Sequence, residues 1–227
     1  MPGYVIHLAL AEKILRDCNA DFDFANRFRL GSMAPDTIKR KDKKESHFWL
    51  DDMFRLFVRK PDLDAFMYEY ERKMSDPFVL GYYAHLVLDI DFLDIYWKNH
   101  FDFRNDYDEP ALLYDDVTKV YIKDTGNSYS RQLFLSDEMY YGDYDRMNEY
   151  FIGKYKLQRP IVDMKEFPVK ELESVKTYEV LQKMSSVFDC EVSENNIPQL
   201  KVFKLEDMEK LINDTAIKLM GSRWFGN

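Results

Sequence analysis

Pro77-Phe-Val-Leu-Gly-Tyr-Tyr-Ala-His85-Leu-Val-Leu-Asp89-Ile-Asp-Phe-Leu-Asp94-Ile-Tyr-Trp97 is the stretch on which the reading of this chain turns. Asp76 followed by Pro77 has the form of an N-cap with proline at the first helical position, so a helix is expected to begin there. It should run for about six turns, to the polar residues near Asn99. Residues 78–90 are nearly all apolar or aromatic, too apolar for a surface helix and too few to span a bilayer. The stretch therefore reads as a core helix. Within it His85 and Asp89 are four residues apart and share one face. A carboxylate in such surroundings needs a partner, because burying it unpaired costs several kcal/mol or forces it to take up a proton. A metal ion would satisfy both side chains, and so would a single His–Asp hydrogen bond inside the core; the pair alone leaves both readings open.

The totals point to helices. The chain has 227 residues, enough for a substantial core, with 46% apolar residues and only eight glycines and eight prolines. Scarce turn formers favour long helices over a sandwich or barrel. A net charge of −9 argues against sequence-independent binding to a phosphate backbone, so no nucleic-acid partner is expected. Cys18 and Cys190 match no metal-knuckle or redox spacing and read as free thiols in a reducing compartment. The start, Met-Pro-Gly-Tyr-Val-Ile-His, shows no basic region and no cleavage site, and no run is long enough for a transmembrane segment. A cytoplasmic protein is the expectation; its oligomeric state is not readable.

Working outward, residues 4–17 read as a helix with apolar positions 6, 10, 14 and 8, 11, 15, and His7 at the edge of that face. Residues 22–31 read as a second helix stopped by Gly31. Pro35 then places Asp36 on a loop just beyond a core-packed element, where it can be held yet meet a ligand; an Asx-turn or N-cap is the alternative use. The basic run Lys39, Arg40, Lys41, Lys43 and Lys44 leads to His47, which is flanked by aromatics; such a run is ordinarily a solvated loop, and its place between Asp36 and His47 would also let it line the mouth of a site and attract an anionic substrate. Residues 62–74 read as an amphipathic helix, and His100 as a lesser ligand candidate. Farther on, helices are expected at 109–122, 130–155, 171–190 and 204–220, with a turn at 124–128 and a connection over 158–170. The chain shows no repeat, P-loop, dinucleotide fingerprint or nucleophile elbow. The expectation is one all-α, multi-helix domain: a metal-site half over 1–104 and a helical elaboration over 105–227.

His7, Asp36, His47, His85 and Asp89 supply three imidazoles and two carboxylates, the mixture a borderline ion such as zinc takes. In this order the motifs Met-Pro-Gly-Tyr-Val-Ile-His7, Leu-Gly-Ser-Met-Ala-Pro-Asp36, Ser-His47-Phe and Gly-Tyr-Tyr-Ala-His85-Leu-Val-Leu-Asp89 resemble the zinc-dependent phospholipase C family, over roughly the first hundred residues. The resemblance implies an all-α fold with a zinc cluster. It implies that Asp36, His47, His85 and Asp89 close around one ion, that His7 serves a second, that Asp89 bridges, and that Asp36 acts as a catalytic general base. Two departures stand out. The secreted enzymes expose an N-terminal tryptophan that binds metal, whereas this chain begins Met-Pro-Gly; and the family's later His-x-x-x-Glu arrangement is missing, with only His100 downstream. The implied cofactor is thus one zinc ion or two, or another divalent metal, rather than a cluster of three.

The function so implied is metal-dependent hydrolysis of a phosphate ester, of the phosphodiesterase or phospholipase C-like kind, on a small phosphoester or lipid headgroup. The competing expectation is a non-catalytic helical binding or scaffold protein that keeps a degenerate or structural metal site.

Overall fold

The computed structural model describes residues 2–18, 20–38, 43–50, 55–163, 166–189 and 197–225. Helix α1 covers Tyr4–Asp17 and α2 Phe22–Met33. The short α3, Lys43–Ser46, leads through a turn towards α4, Leu63–Tyr70, and α5, Pro77–Asp91. Asp76 caps α5 as its position suggests, accepting from the Phe78 N–H at 2.9 Å while its oxygens pair with Arg27. The helical run continues past Asp91 as a π-helical stretch, Phe92–Trp97, and ends in the short α6, Lys98–His100.

Helices α2 and α5 cross backbone against backbone. A Cβ on Gly31 would lie 2.0 Å from the Phe78 carbonyl oxygen, and one on Gly81 2.1 Å from that of Phe28. Gly31 is therefore not the stop expected from its residue type: α2 runs on to Met33, and this glycine permits the crossing. Pro35 does end the helix, but Asp36 lies in a 3-10 turn, Ala34–Thr37, rather than in an open loop.

The second half departs from the all-α expectation. Phe101–Arg104 (β1), Lys119–Ile122 (β2) and Asn127–Ser130 (β3) form an antiparallel sheet in the order β1-β2-β3, with Phe101 opposite Ile122 and Lys119 opposite Ser130. Val120 and Ile122 are buried while Lys119 and Tyr121 are half-buried, the two-residue period of a strand, so the helix expected at 109–122 is not formed. Gly126, at φ 69°, makes the turn between β2 and β3. The helix expected at 130–155 is two, Arg131–Phe134 (α7) and Tyr140–Tyr155 (α8). Ser174–Met184 (α9) and Leu205–Met220 (α10) complete a mostly helical protein, in which no described helix is long and apolar enough to cross a membrane.

α1 lies against α2, α5, α8 and α10, and one hydrophobic core runs from Val5 to Leu219. Buried Asp143 on α8 anchors the approach to α10: its oxygens accept the backbone N–H groups of Lys201, Val202 and Phe203 at 2.7–3.1 Å, and Arg146 pairs with it at 2.7 Å. Asp143→Ala strands these donors where water cannot replace the carboxylate, and is expected to cost about 3 kcal/mol. A urea-midpoint shift equivalent to less than about 1 kcal/mol would contradict that role.

Candidate metal centre

Five side chains from separate elements converge. His7 comes from the first turn of α1, Asp36 from the 3-10 turn after α2, and His47 from the turn after α3. His85 and Asp89 lie a turn apart on α5. His7, His47, His85 and Asp89 are wholly buried, and Asp36 is 11% exposed. Asp89 is the centre: Oδ1 lies 3.5 Å from His7 Nε2, and Oδ2 lies 3.5 Å from both His47 Nε2 and His85 Nε2. Asp36 Oδ1 is 3.8 Å from His47 Nε2, and the His7 and His85 rings stack at 3.6 Å.

The surrounding hydrogen bonds assign the tautomers. His85 Nδ1 donates to the Ser32 carbonyl at 2.8 Å. Ser46 Oγ donates to the Pro35 carbonyl at 3.1 Å and so accepts from His47 Nδ1 at 2.9 Å. The Nε2 atoms of both rings face each other at 3.4 Å and face the same carboxylate oxygen. Among the described residues neither oxygen of Asp89 and neither nitrogen of His7 has a hydrogen-bond partner. In neutral His7 one nitrogen is an N–H and the other an acceptor, so three of these four atoms are orphaned acceptors, which a bound cation would satisfy; outer hydrogen bonds of this kind orient ligating imidazoles.

Charge states agree with that fit. Burial and the adjacent His85 push His7 down to about 4, against the pull of Asp89. Burial, then Lys43, lowers His47 well below the usual histidine range. Both rings are therefore neutral at pH 7. Burial opposes ionisation of Asp36, but the Lys43 ammonium and then the imidazoles outweigh it and lower its pKa. Burial likewise opposes ionisation of Asp89, and His85 followed by His7 holds it below the carboxylate range. Ionised carboxylates beside neutral His7 and His47 are in the protonation state that binds metal.

Of the basic run, Lys43 reaches the cluster and pairs with Asp36, while half-buried Lys44 lies on α3. Lys39, Arg40 and Lys41 lie outside the described residues, as does Cys190. His100 belongs to a different group: it pairs with Asp124 at 3.0 Å, lies 3.6 Å from Asp207 and stacks on Tyr96, while Lys204 pairs with Asp124. Sequence reasoning missed the supports. Ser46, adjacent to His47, was discoverable; Tyr82, whose hydroxyl donates to the Ser46 carbonyl, and the Ser32 carbonyl left no local signal.

Fold and site together define a helix-rich protein with a buried cluster of three histidines and two aspartates. No protein-family profile, curated protein or solved structure matches the chain. The resemblance to zinc-dependent phospholipases C stands on the quoted motifs alone.

Proposed function

We propose that this protein is a metal-dependent hydrolase of phosphate esters, phosphodiesterase- or phospholipase C-like. One observation carries the reading: the wholly buried Asp89 carboxylate has no hydrogen-bond partner and is ringed by three imidazoles. Asp36, His47, His85 and Asp89 Oδ2 would hold one zinc or similar divalent ion; His7 and Asp89 Oδ1 are donors for a second. When bound, such an ion supplies Lewis-acid polarisation of a phosphoryl oxygen and activation of the attacking water. Asp36, the cluster's most exposed ligand, is placed to accept the proton of that water, and Lys43 keeps it ionised for the task. The substrate class is a small phosphoester or lipid headgroup, whose negative charge suits a site entered beside a lysine.

The test compares untagged protein with Asp36→Ala/His85→Ala. Elemental mass spectrometry should find one or two zinc ions per chain, lost in the variant, and hydrolysis of a simple phosphodiester should fall at least about 100-fold. Unchanged turnover in the variant would end the proposal.

Full burial of four of the five ligands favours a second reading, a binding or scaffold protein with a closed structural ion. Cobalt substitution separates the two: a spectrum that shifts on adding anions means an open coordination position, and an indifferent one means a closed site.

A further inference from the structure

We infer that Lys43 and the Trp49 indole form an oxyanion subsite beside the cluster, suited to a phosphate-class ligand; the inference rests on the hydrolase reading. The inner groups of the cluster are acceptors and call for a cation. Two groups beside the cluster, Lys43 and Trp49, are donors. Lys43 is only 18% exposed, and its ammonium pairs with Asp36 Oδ1. A lysine this enclosed is uncommon without a partner that holds it. If Asp36 gives its charge to a divalent ion, the ammonium keeps its donors and loses much of its countercharge. An anion on the ion would restore it.

Trp49 supplies the second donor. Its Nε1 is buried with no acceptor among the described residues, although its ring lies 5.7 Å from that of His47. One tight turn carries both groups: His47 N–H donates to the Lys43 carbonyl at 2.9 Å, and Trp49 N–H to the Lys44 carbonyl at 3.0 Å. Between them Phe48 adopts φ 54°, rare for a bulky residue, and packs its ring against Phe66, Tyr70 and Tyr82. Arg59 adds positive charge, its guanidinium 5.4 Å from the indole centroid. An ammonium paired with Asp36 and an orphan N–H on a ring beside His47 match a group with several anionic oxygens, which could share them between the ion and the donors.

The test uses the zinc-loaded full chain, inorganic phosphate as the probe, and calorimetric titration, with zinc content measured on every sample. Lys43→Gln and Trp49→Phe should each keep their zinc and bind phosphate about tenfold or more weakly, while Lys43→Arg should stay within about threefold of the unaltered protein. Unchanged phosphate affinity in Lys43→Gln and Trp49→Phe with zinc retained would overturn the subsite and leave the metal reading standing. Loss of zinc from either variant would also overturn it, making that residue a support of the cluster. Absence of zinc from the unaltered protein would overturn the hydrolase reading and the subsite with it.

Discussion

Gly81→Ala is expected to destabilise the protein by more than about 3 kcal/mol, measured as a fall in urea midpoint. The added Cβ would sit 2.1 Å from the Phe28 carbonyl oxygen and 3.0 Å from Ser32 N, both backbone atoms of a packed helix that cannot swing aside. Gly31→Ala should behave alike, since its Cβ would meet the Phe78 carbonyl at 2.0 Å. Either change must force α2 from α5. The damage reaches the cluster, because the Ser32 carbonyl on α2 orients His85 on α5. Gly221→Ala is the control: its nearest atom is 3.4 Å away, and little change is expected. A loss below about 1 kcal/mol in Gly81→Ala would mean that the helices do not touch in this way.

Asp89→Asn is the second large effect. In unaltered protein, zinc at a hundredfold excess over its Kd should add about 2.7 kcal/mol of stability, a rise in Tm of about 5–10 °C for a chain of this size. The asparagine keeps the shape of the side chain but removes the charge at which His7, His47 and His85 converge. Loss of a ligand's outer hydrogen bond costs about 10–100-fold in metal affinity, and loss of the ligand charge costs more. The zinc-dependent rise should therefore vanish at the same zinc concentration, while the chelated variant still melts cooperatively. A rise that persists in Asp89→Asn would mean that zinc binds without this carboxylate and would overturn Asp89 as the centre of a metal site.

What was legible in the chain was local. Asp76-Pro77 marked the start of α5, and the spacing of His85 and Asp89 put both on one face, as found. His7, Asp36 and His47 were candidates by residue type and apolar surroundings, and they do converge on that face. What stayed hidden depends on partners distant in sequence. Gly31 has the form of a helix stop and acts as a crossing point only because Phe78 arrives there. Asp143 has the look of a solvated helix acid, yet binds backbone about sixty residues away. The strand at 119–122 was lost among acids and aromatics, although Val120 and Ile122 alternate with polar neighbours over a span too short to outweigh its surroundings.

The position of α1 between the two halves bears on how the protein is made. A ribosome would release all five cluster residues before β1 exists. The other flank of α1 would still be bare: Arg16 awaits the Tyr155 carbonyl, and Glu12, paired with Arg29, awaits the N–H of Gln158. Asp91 likewise waits for Thr215 and Lys218 of the last helix. A fragment ending at residue 104 would thus carry all five residues of the cluster and lack the wall behind them, so the cluster is not a transplantable unit of the first half alone.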